Sequence, residues 1–259
     1  MAISEKVAKA LRVPEHFGIR SGLMLGWRVL RGKPSILTVH DPSGLTYQTR
    51  NDRSQASHLP VSTQKILAMA ERIERCETVL DIGGNVGLFS LAVRLRFPNA
   101  RIVCVEADPE LAEIAKANLG SDPSVTVLAR AAVEDERPEV SLFIAQQSNQ
   151  VGSLYREAVE PFARATEISS IRVPAVAVGD LFALFPTGCV DVMKVDIQGY
   201  EHQLFASNRH LLERVAVCFL EASFLDPNVH RLLDLFHASF PRCEVVNHVV
   251  AGADLMFSR

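Results

Sequence analysis

The stretch that decides the fold of this chain is VLDIGGNVG, residues 79–87. Its apolar start is typical of a buried strand, which leads to an acid, Asp81, shortly before a turn that holds Gly83, Gly84 and Gly87. Glycines at such a turn let the backbone come close to a ligand and present N–H groups at the start of a helix. The stretch therefore predicts a strand, a ligand-binding turn and a helix, in that order.

The charge and the glycine spacing indicate which ligand this turn binds. A dinucleotide would place its pyrophosphate here, where the carboxylate of Asp81 would repel it. The spacing G-G-x-x-G also differs from the G-x-G-x-x-G pattern of dinucleotide sites. S-adenosylmethionine fits better because it carries an ammonium and a sulfonium. We therefore expect Asp81, Asn85 and the three glycines to bind S-adenosylmethionine.

A second acid completes the predicted cofactor site. The strand-like run RIVCVE, residues 101–106, ends in Glu106, which comes 19 residues after Gly87. In nucleotide-binding folds an acid at this place accepts the hydroxyls of an adenosine ribose. Asp108 and Pro109 follow, as the N-cap and the first residue of a helix. Strand, turn, helix, strand and acid thus form one unit for binding an adenosine-containing cofactor.

The composition favours one α/β domain with a short N-terminal extension. The chain has 259 residues, of which 48% are hydrophobic, and two full domains would be cramped. We assign residues 1–60 to an N-terminal cap and residues 61–259 to the main domain. The net charge of −3 argues against a nucleic-acid partner held by bulk electrostatics.

The N-terminal segment differs from the rest of the chain in charge. Residues 1–40 hold seven basic residues against two acidic ones, so this segment could contact an anionic substrate or a membrane surface. A solvated amphipathic helix is the favoured alternative. A hairpin over residues 36–49 and a helix over residues 62–76 are predicted from the turn signal and the helical spacing that follow.

The cysteines and the apolar runs limit the class of protein further. The five cysteines are scattered and form no C-x-x-C pair, so the sequence indicates neither a zinc site nor a disulfide framework. No apolar run approaches the ~20 residues of a membrane span. We therefore expect a reduced, soluble, cytoplasmic protein, and we assign no metal site.

The order of the remaining segments predicts the fold class. Strand-like and helical segments alternate over residues 78–129, which indicates a parallel, doubly wound α/β sheet. An insertion interrupts the alternation at residues 140–178, and a short helix capped by Asp180 follows. The last two strand-like runs, residues 243–250 and 254–258, lie too close together for a parallel connection. We therefore predict a Rossmann-like, seven-stranded, mostly parallel sheet with an antiparallel last strand.

A second group of charges lies in the run VDVMKVD, residues 190–196. Lys194 and Asp196 are two residues apart on a predicted mid-sheet strand, so their side chains point to one face. Such strands are usually apolar, and two charges there are costly unless they pair or meet a ligand. Asp196 ends its strand, as Glu221 ends the next one, and ligands of open α/β sheets bind along that edge.

These charged residues are candidates for acid–base chemistry. Asp196 is the first choice for a base or hydrogen-bond acceptor, with Lys194 as its partner. Glu221 and His202 are the next candidates for this role. Burial and Lys194 would shift the pKa of Asp196 in opposite directions. Glu201, in a first helical turn, could simply favour the helix dipole. A metal held by Asp196, Glu201 and Glu221 is a less favoured way to acidify a hydroxyl.

Together these segments resemble the FkbM family of S-adenosylmethionine-dependent methyltransferases. The resemblance runs from about residue 60 to the C-terminus. It is carried by VLDIGGNVGLFSL, VEADPELAEIAKANL, Ala131-Ala132, Gly152-Ser153-Leu154, VDVMKVDIQGYEHQLF, Phe219-Leu220-Glu221 and the terminal LMFSR. The family's most diagnostic piece is K-x-D-x-E-G-x-E, and this chain has Gln198 in place of the first glutamate. No role that needs a carboxylate at position 198 is carried over.

The resemblance implies a class I methyltransferase domain whose cofactor also contacts Ala107, Ala131 and Ala132. It implies O-methylation of a hydroxyl, commonly on a sugar, a glycan or a secondary metabolite. The expected partner is therefore a small-molecule or glycan acceptor with a free hydroxyl. Two alternatives stay open. One is an NAD(P)-dependent oxidoreductase, which Asp81 and the lack of a Tyr-x-x-x-Lys pair disfavour. The other is a non-catalytic cofactor-binding relative, which Gln198 makes worth testing.

Overall fold

The first elements among the described residues form a hairpin and a helix, as the sequence predicted. The structure is a computed structural model that describes residues 36–41, 44–50, 55–145, 152–162, 167–249 and 252–259. The elements are the antiparallel strands β1 (Ile36–His40) and β2 (Thr46–Arg50), followed by helix α1 (Gln55–Glu71). Most of the basic N-terminal segment and the polar loop 146–151 lie outside the described residues.

Helix α1 differs from the predicted helix at both ends. It begins at Gln55, so that Pro60 lies inside it, although proline usually marks a helix start or a kink. It ends at Glu71 because the next two N–H groups donate to the carbonyls of Met69 and Ala70, three residues back, which tightens the last turn. The predicted boundary between residues 60 and 61 falls within α1, and the division into cap and domain stays a prediction.

The hairpin is tied to the main domain by polar contacts. The backbone N–H of Gln48 donates to the Asn118 side chain at 2.5 Å, and the Asn118 amide donates to the Gln48 carbonyl at 2.8 Å. The buried Tyr47 hydroxyl lies 2.9 Å from the hydroxyl of Thr63 on α1. The hairpin therefore packs between α1 and a helix of the main domain.

The predicted strand–turn–helix unit has the expected bounds. Its elements are β3 (Thr78–Ile82), α2 (Leu88–Arg96), β4 (Arg101–Glu106), α3 (Pro109–Leu119) and β5 (Val125–Ala129). The residues from Val79 to Ile82 have no exposed surface, as expected for a parallel strand with both faces covered. Asp108 accepts the N–H groups of Glu110 and Leu111, so it is the N-cap that the sequence predicted.

The insertion and the residues just before it form a second sheet, whose four strands lie in the order Ala131–Val133, Ile168–Ala177, Glu139–Ala145 and Gly152–Ser153. Its elements are β6 (Ala131–Val133), β7 (Glu139–Ala145), β8 (Gly152–Ser153), α4 (Arg156–Val159), a 3₁₀ turn (Glu160–Phe162) and β9 (Ile168–Ala177). Helix α5 (Val178–Ala183) follows, with Ala177 as its N-cap. The prediction that Asp180 caps this helix is wrong, because β9 runs directly into α5 and leaves Asp180 within the first turn.

The last elements complete the main sheet. They are β10 (Val190–Val195), α6 (Glu201–Ala206), α7 (Arg209–Leu212), β11 (Val215–Ser223), α8 (Val229–His237), β12 (Arg242–Val249) and β13 (Gly252–Ser258). The strand order is β12-β13-β11-β10-β3-β4-β5, and β13 runs antiparallel to both of its neighbours. The predicted fold class is therefore confirmed, with β10 and β3 paired at its centre.

Among the described residues, no helix has the length and apolar character needed to cross a membrane.

Candidate functional site

The carboxyl ends of β3, β4 and β10 open into a cavity with about 750 Å³ of space, part of which is open to solvent. The second sheet closes the other side with Leu142, Ser153 and Leu154. Of the predicted site residues, the wall contains Gly83, Asn85, Glu106, Ala107, Ala131, Ala132 and Asp196. The structure thus brings most of the predicted cofactor residues together with one predicted catalytic residue.

The glycine turn after β3 uses its backbone N–H groups internally. The N–H groups of residues 83–87 donate to the Val105 carbonyl (two of them), to Glu106, to the Asn85 side chain and to the Gly84 carbonyl. The backbone N–H groups of residues 83–87 are therefore already bonded within the protein. Binding of a ligand by the N–H groups at the start of the following helix stays a prediction.

The glycines are required by packing within the sheet. Gly83 has a φ of 79°, and a Cβ there would collide with the carbonyl oxygen of Asp196 at the end of β10. A Cβ at Gly84 would collide with the thiol of Cys104 on β4. The turn is therefore fixed against both neighbouring strands, and Gly84 and Gly87 are buried beneath the cavity wall.

Asp81 lies beneath the turn and not on the wall of the cavity. Its side chain has no exposed surface. The hydroxyl of Ser90 donates to Oδ2 at 2.7 Å, and Nζ of Lys194 lies 3.6 Å from Oδ1. Oδ1 has no hydrogen-bond partner among the described residues. A direct contact between Asp81 and the cofactor stays a prediction, and the charge of Asp81 is balanced by Lys194 in this structure.

Glu106 is the acid best placed to hold a cofactor. It lies on the cavity wall, where its two oxygens accept the N–H groups of Asn85 at 2.7 Å and Asp108 at 2.8 Å. A carboxylate has about four acceptor positions, so two remain for hydroxyls of a ligand. Burial raises the pKa of Glu106 to about 7.

Lys194 and Asp196 form the expected pair at the end of β10. Nζ of Lys194 donates to the Gly83 carbonyl at 3.0 Å and lies 3.4 Å from Oδ2 of Asp196. The other oxygen, Oδ1, accepts a hydrogen bond from Nε2 of Gln198 at 2.7 Å. Burial favours the neutral acid, but Lys194 and Lys65 outweigh it and hold the pKa of Asp196 below its usual value.

Glu221 belongs to a neighbouring cluster of charges. Nζ of Lys65, on α1, lies 2.5 Å from Glu221 and 2.7 Å from Asp254 on β13. The charge of Asp196 raises the pKa of Glu221, and burial raises it further. Glu221 therefore lies near Asp196 but is not part of the cavity wall. Sequence reasoning missed Lys65, although it precedes the buried Met69 by four residues and so shares a helix face with it.

Glu201 supports the turn after β10. Its carboxylate is buried and accepts the N–H groups of Ile197 and Gly199, both at 2.9 Å. Burial raises the pKa of Glu201 to about 7. Among the described residues, no group of three His, Cys, Asp or Glu side chains is arranged to hold a metal. The next residue, His202, is half-buried on α6 and is not part of the cavity wall.

Two tyrosines that the sequence analysis did not single out lie where the insertion meets the cavity. Tyr200 lies on the cavity wall, and its hydroxyl donates to Glu134 at 2.5 Å. Its ring packs against that of Tyr155 with 5.0 Å between centroids. Tyr155 comes from the insertion, directly after the wall residues Ser153 and Leu154. The insertion therefore contributes to the cavity.

A comparison with family models identifies the chain. A model described as a methyltransferase FkbM domain matches residues 81–243. The chain belongs to the FkbM methyltransferase family. This confirms the resemblance drawn from the sequence motifs.

This FkbM methyltransferase also matches parts of curated methyltransferases. It is 41% identical over 66 residues to a tRNA1(Val) (adenine(37)-N6)-methyltransferase of Aliivibrio fischeri, covering 25% of this chain and 28% of that one. It is 34% identical over 61 residues to malonyl-[acyl-carrier protein] O-methyltransferase 1 of Ilyobacter polytropus, covering 24% and 22%. The chain spans about a quarter of the length of these relatives.

Solved structures give weaker likenesses. A precorrin-6y C5,15-methyltransferase from Geobacter metallireducens is 12% identical with a TM-score of 0.43, covering 74% of this chain and 83% of that one. A putative O-methyltransferase from Klebsiella pneumoniae is 15% identical with a TM-score of 0.42, covering 75% and 77%. The fold assignment rests on the strand order and on the family.

As an FkbM methyltransferase the protein uses S-adenosylmethionine, which confirms the cofactor predicted from the sequence. The site fits that molecule, because Glu106 lies on the cavity wall and keeps acceptor positions for ribose hydroxyls. The wall residues Gly83, Asn85, Ala107, Ala131 and Ala132 would surround the rest of it. The contacts of the individual residues stay predictions.

Proposed function

We propose that this methyltransferase transfers the methyl group to a hydroxyl oxygen of a sugar, a glycan or a secondary metabolite. The observation that carries the proposal is the position of Asp196, whose carboxylate lies on the wall of the same cavity as Glu106. A group that can accept a proton thus faces the space next to the expected cofactor.

The chemistry requires a base as well as orientation. Bound S-adenosylmethionine supplies a methyl carbon that is already activated by positively charged sulfur, and the sulfur keeps the electron pair of the broken C–S bond. Asp196 accepts the hydroxyl proton as the new C–O bond forms. Lys194 balances the charge of Asp196 before the transfer. Positioning the reacting atoms in line can contribute about 7–11 kcal/mol to the rate.

Support for an oxygen acceptor comes from the chemistry of the wall. An alcohol must lose a proton, and Asp196 is ionised because its pKa lies below the usual value. The hydroxyl of Ser153 and the amide of Gln198 also belong to the wall and could bind further hydroxyls of a sugar. The net charge of −3 disfavours a nucleic-acid acceptor, although one partial relative is named for a tRNA adenine.

Calorimetry tests the cofactor half of this proposal. The chain should bind S-adenosylmethionine and should give no binding heat with NAD or NADP. Binding of a dinucleotide without binding of S-adenosylmethionine would overturn the assignment.

Turnover tests the acceptor half. Formation of S-adenosylhomocysteine should be followed with a panel of hydroxylated sugars and natural products, and with RNA as a comparison. Mild alkali then separates the stable methyl ether of an alcohol from a methyl ester. We expect ether products and a large loss of kcat in the isosteric Asp196→Asn variant. Methylation of RNA alone, or full activity of Asp196→Asn, would contradict the proposal.

The proposal includes a cytoplasmic location and an acceptor that is a small molecule or a glycan. All five cysteines carry free thiols, three of them buried, and a reducing compartment keeps thiols in that state. The basic segment at residues 1–40 could contact a membrane surface. Fractionation of cells that produce the tagged protein tests the location.

A further inference from the structure

Two residues other than glycine have positive φ within the described part of the chain, and both lie on the cavity wall. Asn85 has a φ of 52° in the turn after β3, and Gln198 has a φ of 55° in the turn after β10. Asparagine is enriched in this conformation, whereas glutamine is not. Glycine would remove the strain at position 198. Strained backbone of this kind persists where the surrounding structure imposes it, and it points to function.

The turn around Gln198 is held from both sides. Glu201 accepts the N–H group of the residue before it, Ile197, and that of the residue after it, Gly199. The N–H of Asp196 donates to the Ile82 carbonyl at 3.0 Å, which fixes the start of the turn against β3. The backbone therefore places the Gln198 side chain at one position on the cavity wall.

That position lets the amide reach the candidate base. Nε2 of Gln198 donates to Oδ1 of Asp196 at 2.7 Å, while Lys194 lies 3.4 Å from Oδ2. Each oxygen of the Asp196 carboxylate thus has one side chain of the protein as its partner. The remaining acceptor positions of Asp196 are then available on the side that faces the cavity.

We propose that Gln198 is the positioning residue for Asp196: its strained backbone places an amide donor on Oδ1, which turns the free side of the carboxylate toward the acceptor hydroxyl. This inference rests on the proposed function, because it gives Asp196 the role of base. It also explains why a neutral amide at this place is compatible with an active enzyme.

The charges around Asp196 explain why an amide suits this position. Lys194 on β10 and Lys65 on α1 face Asp196 with positive charge, whereas Glu221 on β11, Asp254 on β13 and Glu201 on α6 face it with acids. A glutamate at position 198 would put another carboxylate at hydrogen-bond distance from Oδ1. Like charges at that distance favour protonation of one partner.

Three variants separate the amide from the backbone. Gln198→Gly removes the amide and the strain, so we expect an unchanged or higher melting temperature with kcat lowered at least about tenfold, within the range of general-base effects. Gln198→Asn suits the backbone and keeps an amide that is one methylene too short, so kcat should fall similarly. Both should leave the KM for S-adenosylmethionine unchanged. Gln198→Glu should move the acid limb of the kcat profile to higher pH.

These outcomes distinguish positioning from a structural role. If Gln198→Gly lowers the melting temperature and leaves kcat at the parental value, Gln198 only shapes the turn and the inference is wrong. If parent and variants all transfer methyl groups at one rate while Asp196→Asn is inactive, the inference fails and the proposed function stands.

A titration that needs no acceptor gives an independent test. With ¹³C-labelled aspartate, and Asp196→Asn to assign the signal, the carboxylate of Asp196 should titrate at higher pH in Gln198→Asn than in the parent, and higher still in Gln198→Glu. Identical titrations in all three proteins would overturn the inference, whatever the activity of the parent.

Discussion

Replacement of Lys194 by methionine should destabilise the protein strongly. The ammonium of Lys194 is buried, with 7% of the side chain exposed, and it lies between Asp81, Asp196 and the Gly83 carbonyl. Methionine has a similar length and suits a buried site. The replacement removes the positive charge that balances two carboxylates. One of them, Asp81, has no exposed surface at all.

The size of the effect follows from the burial of the partners. Loss of one partner of a buried ion pair costs about 3–5 kcal/mol, because the other charge stays uncompensated. The free energy of unfolding of a protein is only about 5–15 kcal/mol, so Lys194→Met should lose a large share of it. For a domain of this size that corresponds to a decrease of about 6–20 °C in melting temperature.

The loss of stability in Lys194→Met should depend on pH. In the parent, Lys194 holds the pKa of Asp196 low, so this contribution to stability is present above the pKa of unfolded aspartate near 4 and is lost as the pH falls further. The pKa of Lys194 is raised by Asp196 and Asp81 despite its burial, so its contribution is present below about pH 10.5 and is lost above that. In Lys194→Met the carboxylate of Asp196 titrates at higher pH than in the parent, so the loss of stability should shrink as the pH falls from about 8 to about 5.

Urea unfolding at both pH values measures the effect. Lys116→Met is the control, because Lys116 forms an exposed pair with Glu113 that should contribute less than about 1 kcal/mol. Adding Asp81→Asn to Lys194→Met should recover part of the loss, since it removes the uncompensated charge. A loss of less than about 1 kcal/mol at pH 8, or no recovery in the double variant, would refute the reasoning.

Three further variants test other parts of the site. Glu106→Gln removes a charged acceptor of the ribose hydroxyls, so calorimetry should find S-adenosylmethionine bound roughly 10–100 times more weakly, and an unchanged Kd would contradict the assignment. Glu201→Gln leaves one acceptor oxygen for two N–H groups, which should lower the free energy of unfolding by about 1–3 kcal/mol in acid solution. Burial raises the pKa of Glu201 to about 7, so ionisation of this residue favours the unfolded state as the pH rises from about 4.5 to about 7. The free energy of unfolding should therefore fall less steeply in the variant than in the parent over that window. Lys65→Met leaves Glu221 without its cation, and thermal unfolding near pH 8 should detect a lower melting temperature, whereas a melting temperature equal to that of the parent would indicate that water compensates.

Much of the fold follows from local sequence patterns. The apolar runs that lead to Asp81 and Glu106 are continuous because both faces of a parallel strand are covered, and the Asp108-Pro109 step sets a helix start through its own backbone chemistry. The short connection before β13 forces an antiparallel strand whatever the rest of the chain does. These features follow from interactions between residues that are close together in the sequence.

Other features depend on segments that are distant in sequence. The donors of the glycine turn are bonded to the Val105 carbonyl and to Glu106, which the composition of the turn does not reveal. Lys65 meets Glu221 because α1 packs over the end of β11, which is 156 residues away. The second sheet and Tyr155 are ordered by pairings across an insertion that has weak local signals.

The sequence by itself determined the class of fold, the cofactor and the strand ends that carry acids, because these depend on period, on spacing and on the motifs shared with the family. Only the tertiary structure decided which of those acids face the cavity. Glu106 and Asp196 lie on its wall, whereas Asp81, paired with Lys194, and Glu221, paired with Lys65, are not part of it. The physical reason is that a buried charge must find its counter-charge, and that partner comes from wherever in the chain the packing places one.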